Sequence, residues 1–163
     1  MYIVDFQSPI LRVPSWPKLK RGKLVEFRSV LYTSEAQLYS LEEDKQVELI
    51  AVTSRINNEM SGITGCLVYT GIHFAQIVEG GSAAIGRLLI KLQVDSRHRN
   101  MKIISDAYQS ERVFLKWSMA YIRTPQLRSM IERVAEGKVE GSSAIALADI
   151  IQRTMQNASG SDS

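Results

Sequence analysis

The spacing of apolar and polar residues changes abruptly along this chain, and each change marks an element. Residues 24–33 are rich in β-branched and aromatic side chains and predict a strand. Over residues 42–58, acids occupy the first turn and Val47, Ile50 and Ala51 follow at helical spacing, which predicts a helix. Two strands are predicted over 64–69 and 72–79, separated at Thr70-Gly71, a hairpin signal weaker than Asn-Gly. Ser82 reads as the N-cap of a helix over 82–95, with Ile85, Leu88, Leu89 and Leu92 as its apolar stripe. Residues 101–108 and 113–122 predict two more strands, and Leu115, Trp117 and Met119 share one side of the second. The order is β-α-β-β-α-β with an added fifth strand. This is an α+β, ferredoxin-like plan with two helices on one face of a mixed sheet.

The flanks read differently. Residues 1–23 carry Pro9, Pro14 and Pro17 and show no apolar period, which predicts an extended arm, with Phe6 and Trp16 as its docking candidates. After Pro125, residues 127–136 and 142–155 predict two amphipathic helices that either cap the sheet's second face or contact another protein. The expected organisation is an N-terminal arm (1–23), a core domain (24–123), a C-terminal helical extension (124–157) and a disordered Ser/Gly-rich tail (158–163).

Composition narrows the function classes. With 163 residues, 45% hydrophobic and 23% charged, the chain has the make-up of a globular domain with a core of useful size. The net charge of +3 is too small to indicate nucleic acid, and the densest basic stretch (Lys18, Lys20, Arg21, Lys23) lies in the arm. Cys66 is the single cysteine, which excludes an intrachain disulfide and fits a reducing compartment. No run approaches the ~18 apolar residues of a membrane span, and the start lacks a secretory pattern, so a cytoplasmic location is expected. Glycine-rich phosphate loops and nucleophile or zinc-protease motifs are missing, and two histidines are too few for a convincing metal site. The expectation is a binding protein, not an enzyme, with no metal.

The informative residues are polar side chains on faces that ought to be apolar. Ile50, Ser54, Asn57 and Asn58 share one helix face, which turns from apolar to amide towards its C-terminus. Asn57 or Asn58 can serve as a left-handed C-cap. Alternatively the amides face a ligand, because a buried amide without partners costs about 1–3 kcal/mol. Gln76 lies between Phe74 and Val78 on one strand face; it is either an edge glutamine or an amide aimed at a heterocycle. Tyr32 shares a face with Val30 and Ser34. Lys91 precedes Asp95 by four residues, with Arg97 and His98 just beyond; this is a surface ion pair, or a cation for phosphate beside a carboxylate for sugar hydroxyls.

Taken in order, several segments resemble the BLUF domain, a blue-light sensor using FAD, over roughly residues 27–122. They are Leu31-Tyr32-Thr33-Ser34, Thr53-Ser54-Arg55-Ile56-Asn57-Asn58, Gly62-Ile63-Thr64-Gly65-Cys66-Leu67 and Phe74-Ala75-Gln76-Ile77-Val78-Glu79-Gly80. Val94-Asp95-Ser96-Arg97-His98, Arg112-Val113-Phe114 and Trp117-Ser118-Met119 complete the set. Three departures stand out: Ala75 is smaller than the aromatic residue often found there, the stretch from Tyr32 to the Asn pair is slightly long, and the arm lies outside the common domain.

The resemblance implies non-covalently bound FAD, with FMN or riboflavin as alternatives. It implies that Tyr32 gives an electron and a proton to the excited flavin and that Gln76 bridges Tyr32 and the ring, then rearranges its amide. Asn58 would hold the ring's polar edge with Asn57 and Ser54 beside it, and Phe74 and Met119 would complete the cofactor-facing set. Lys91 would meet the phosphate and Asp95 the ribityl chain, with His98 close by. Trp117 and Met119 would exchange packing near Gln76 and pass a red-shifted signalling state outward. The expected partners are a separate effector protein and a further copy of the chain. The competing readings are a non-photoactive ferredoxin-like interaction or RNA-binding module, and a flavin-dependent redox enzyme.

Overall fold

The computed structural model describes residues 26–38, 42–115, 118–138 and 145–153. Five strands form one sheet: β1 (Phe27–Ala36), β2 (Thr64–Tyr69), β3 (His73–Gly80), β4 (His98–Gln109) and β5 (Ala120–Arg123). The spatial order is β4-β1-β3-β2-β5; β5 runs parallel to β2 and the other neighbours are antiparallel. Helices α1 (Glu43–Ser61) and α2 (Ser82–Gln93) are the two crossovers of the expected plan. A short 3-10 turn (Pro125–Leu127) leads into α3 (Arg128–Ala135), and residues 145–153 form a fourth helix, α4. The predicted arm and tail lie outside the described residues. No helix among those described is long and apolar enough to cross a membrane.

Strand alternation divides the interior into two cores. Val30, Leu67, Tyr69, Phe74 and Val78 point to one face and pack with Val47 of α1 and Ile85 and Leu89 of α2. Leu31, Cys66, Val68, Ala75 and Ile77 point to the other and pack with Ile131 and Val134 of α3 and Leu147 and Ile151 of α4. The C-terminal helices therefore cap the sheet's second face. Each fully buried aliphatic side chain contributes about 1.5–3 kcal/mol, so both layers matter to stability. Burial also pushes the Cys66 thiol up to about 12, as befits an inert core residue.

Several sequence expectations need correction. The helix predicted to end at Asn58 continues to Ser61, and Gly62, at φ 63°, is the left-handed cap. Neither Asn57 nor Asn58 is the C-cap. Ser82 does not cap α2; Gly81 is the N-cap, and the Ser82 hydroxyl instead lies 3.1 Å from the Tyr108 hydroxyl. The strand predicted over 113–122 is limited to Ala120–Arg123. The reason lies in Glu79: its buried carboxylate accepts the backbone N–H groups of Val113 and Phe114, which are then lost to any ladder. Leu115 is exposed there and Met119 buried, so the two do not share one core-facing side, and Trp117 lies outside the described residues. β1 begins and ends three residues later than predicted, at Phe27 and Ala36, and β4 extends beyond its predicted span at both ends because β1 pairs with all of it.

Candidate functional site

Register places the central residues. Tyr32 lies opposite Gln76 in the β1–β3 ladder, and Leu67 lies opposite Gln76 in the β2–β3 ladder. Residues directly opposite in antiparallel pairs project to the same face, so the three form a row beneath α1 and α2. The β1–β4 pairing slips between Leu31 and Tyr32 and again between Thr33 and Glu35, the kind of bulge that re-aims side chains beside a site. Gly65, further along β2, leaves no room for a side chain, since a Cβ there would collide with the Ile77 carbonyl oxygen.

The buried Tyr32 hydroxyl donates to Gln76 Oε1, and Gln76 Nε2 donates to Met119 Sδ at 3.3 Å. The chemistry of the partners fixes the amide's orientation. A thioether sulfur only accepts, so the Gln76 NH₂ must face Met119, leaving its carbonyl oxygen for the phenol. Burial, reinforced by Asp95 and opposed by Arg97, holds the Tyr32 phenol well above its usual pKa, which keeps it a neutral donor. Asn58, buried in the last turns of α1, donates from Nδ2 to the Ser118 carbonyl at 2.9 Å, and Arg55 Nε approaches the Met119 carbonyl at 3.4 Å. Helix α1 thus grips the chain just ahead of β5.

Above Tyr32 and Gln76 is a cleft of about 40 Å³, walled by Ile50, Leu67, Phe74 and Leu92 and edged by Ser34, Ser54, Asp95, Arg97 and His98. The Ser34 hydroxyl and both ring nitrogens of His98 are buried without a hydrogen bond of ordinary geometry among the described residues. Such groups cost free energy unless a ligand satisfies them. His98 stacks on Tyr32 with ring centroids 6.4 Å apart. Burial is the main cause holding its pKa below the usual value. Asp95 is clamped by Arg97 through both side-chain and backbone donors, at 2.5 Å for the shortest, and this pairing keeps its carboxyl below the ordinary range.

The expected site residues therefore separate into two groups. Tyr32, Ser54, Phe74, Gln76, Asp95 and His98 line one cleft, with Met119 bonded to Gln76 and Asn58 bonded beside Met119. Asn57 and Lys91 are exposed and line no part of it. The expected Lys91–Asp95 pair does not form: α2 ends at Gln93, so helical i,i+4 geometry stops short of Asp95, and Arg97 takes the carboxylate. Leu67 and the Arg97 clamp were not anticipated as parts of the site. Hairpin register finds Leu67, because it pairs with Gln76.

A larger cavity of about 460 Å³ lies between α3 and the ends of β1, β3 and β4, but charged side chains line much of it. Its carboxylates are already engaged: Glu35 by Arg99 and Asn100, Glu132 by Arg128, and Glu136 by Lys138. It lacks the apolar walls that a planar heterocycle needs.

Comparison with known proteins agrees with this fold. The family model described as sensors of blue-light using FAD, BLUF, matches residues 27–120. BlrB, a BLUF protein solved in its dark state, is 27% identical; the match covers 83% of this chain and 98% of BlrB, with a TM-score of 0.66. A bacterial light-regulated adenylyl cyclase is 26% identical with a TM-score of 0.60, over 69% of this chain and 35% of the cyclase. Photoactivated adenylate cyclase subunit alpha of Euglena gracilis is 39% identical over 57 residues, which is 35% of this chain but spans only 6% of that protein's length. The family match over residues 27–120 and the shared fold converge: this chain belongs to the BLUF family, the sensors of blue light using FAD.

Proposed function

We propose that this chain senses blue light with non-covalently bound FAD and that Gln76 is its switch. The observation that carries the reading is the buried hydrogen-bonded chain from Tyr32 through Gln76 to Met119. The cleft residues fit a flavin ring: four apolar walls for its faces, and the Gln76 amide with the polar groups of Ser34 and His98 for its polar edge. FMN and riboflavin share the ring and are the alternative ligands.

When bound, the flavin supplies the absorption of blue light and an excited state able to accept an electron and a proton. Tyr32, a neutral phenol hydrogen-bonded to Gln76 Oε1, would be the residue that supplies them. Loss and return of that proton frees Gln76 to turn its amide over, or to tautomerise. After rotation the NH₂ group faces Tyr32 and the carbonyl oxygen faces Met119 Sδ. Oxygen and sulfur are both acceptors, so the Gln76–Met119 bond cannot survive the turn. Met119 is thereby released, together with the strand that it precedes. A changed hydrogen bond at the chromophore shifts absorption to the red without lasting redox change.

Ser54 anchors the ring from α1, with Asn58 one turn on and bonded to the Ser118 carbonyl, and Asp95, held by Arg97, serves the ribityl chain with His98 beside it. Asn57 and Lys91 meet only the cofactor's outer parts, Lys91 the phosphates, since both are exposed. The domain of residues 24–123 then signals through its C-terminal helices to a separate effector protein or to another copy of the chain in the cytoplasm. Irradiating the purified, flavin-loaded chain tests the reading. A reversible red shift is expected; bleaching that does not recover, or no bound flavin, overturns it.

A further inference from the structure

We propose that Glu79 is a positioning residue that couples the switch to the C-terminal helices, an inference that rests on the light-sensing reading above. Glu79 and Gln76 belong to the same strand, β3, but face opposite sides of the sheet. Gln76 holds Met119, which packs in the core beneath α1 and α2. Glu79 holds Phe114, which packs in the other core, against α3 and α4. Phe114 and Met119 are only five positions apart in sequence. One short stretch therefore has an anchor in each core, and each anchor is bonded to the same strand.

The Glu79 carboxylate is fully buried, yet none of the ion pairs among the described residues involves it. What it does there is accept. Oε2 takes the N–H groups of Val113 and Phe114, each at 3.0 Å, and Oε1 takes Gln109 Nε2 at 2.7 Å. An acceptor-only group is the one side-chain type that can take three donors at once. Arg112 reinforces the clamp from outside, donating to the Gly62 carbonyl at 2.6 Å and to Thr64 Oγ1 at 3.2 Å, with its guanidinium 4.6 Å from the centre of the Phe27 ring.

The clamp has a mechanical consequence. With Val113 and Phe114 fixed to β3, displacement of Met119 cannot be absorbed by sliding of the stretch ahead of it. It passes to Ala120, the residue after Met119, which packs in the same core as Ile131, Leu147 and Ile151. Without the clamp the stretch gives locally and the helices do not respond, although the photochemistry at Gln76 proceeds.

Two substitutions separate this role from bulk stability. Glu79→Leu removes both acceptor oxygens and leaves all three donors without them. Glu79→Gln keeps one oxygen for both backbone N–H groups, and its NH₂ can donate to Gln109 once that amide turns over. The readouts on the flavin-loaded full chain are the light-induced red shift and the light-minus-dark difference in amide hydrogen exchange across α3 and α4. Wild type is expected to show both. Glu79→Leu should keep the red shift but lose the exchange difference by about tenfold, the factor equivalent to ~1.4 kcal/mol. Glu79→Gln should restore it. If Glu79→Leu fails to accumulate, Arg112→Ala weakens the same clamp from its exposed side and carries the test. An undiminished exchange difference in the acceptor-free variant, its loss in Glu79→Gln as well, or no light-dependent exchange in wild-type α3 and α4 would overturn the proposal. A wild type that shows no red shift instead removes the light-sensing reading beneath it.

Discussion

The Tyr32 hydroxyl donates to Gln76 Oε1 across the β1–β3 ladder, at a position where the two residues are direct register partners. Backbone pairing fixes the contact, so neither side chain needs a bound ligand to find the other. The same amide reaches Met119 Sδ, and its two ends are chemically distinct. A single rotation therefore changes both contacts.

Tyr32→Phe removes the donor and leaves Gln76 Oε1 buried without it. The variant is expected to bind flavin, lose the light-induced red shift, and unfold more easily by about 1–3 kcal/mol in urea titration. Flavin absorbance gives the first result and circular dichroism the last. A normal photocycle would exclude Tyr32 as the donor.

Met119→Leu keeps the volume of the side chain but removes the sulfur acceptor. Since that bond favours the dark orientation of Gln76, its loss should slow return to the dark state by roughly two- to tenfold, equivalent to ~0.5–1.5 kcal/mol. Recovery of absorbance after a blue flash measures it. Faster recovery would show that the sulfur does not hold the dark amide.

His98 is held below its usual pKa chiefly by burial. Unfolded chains take up a proton here while folded chains do not, so stability is intact above about pH 6.5 and declines as pH falls towards the folded-state value. Melting temperature should fall over that window in wild type, and His98→Gln should flatten the decline. The Asp95 carboxyl, depressed by Arg97, loses its contribution only at lower pH, below the ordinary carboxylate value near 4. An equally steep fall in the His98 variant would assign the effect to other groups.

Leu147 is fully buried between α4 and the sheet. Leu147→Ala is expected to cost about 2–5 kcal/mol in chemical denaturation while leaving flavin content unchanged, because the flavin cleft lies on the opposite face. Little loss of stability would mean that α4 is not an integral layer of the fold.

Much of this was readable from the sequence because alternation in β1, β2 and β3 is regular. It separated Tyr32 and Gln76 from Leu31 and Ile77 and gave the strand order its plan. Reading failed where a side chain replaced a ladder. The run from Val113 to Met119 alternates like a strand, yet Glu79, distant in sequence, captures its N–H groups. Lys91 and Asp95 have the spacing of a helical pair, but the helix ends between them and Arg97 intervenes. Helix periodicity alone puts Asn57 and Asn58 on one face, and it is the resemblance that singles out Asn58. What periodicity cannot show is the Ser118 carbonyl, just ahead of β5, that accepts from Asn58.

The most direct test of the central claim compares blue-light difference spectra of wild type and Gln76→Leu, both loaded with flavin. Wild type should shift reversibly to the red, whereas Gln76→Leu should retain the flavin spectrum and show no shift. A red shift of wild-type size and reversibility in Gln76→Leu would contradict the assignment of Gln76 as the switch.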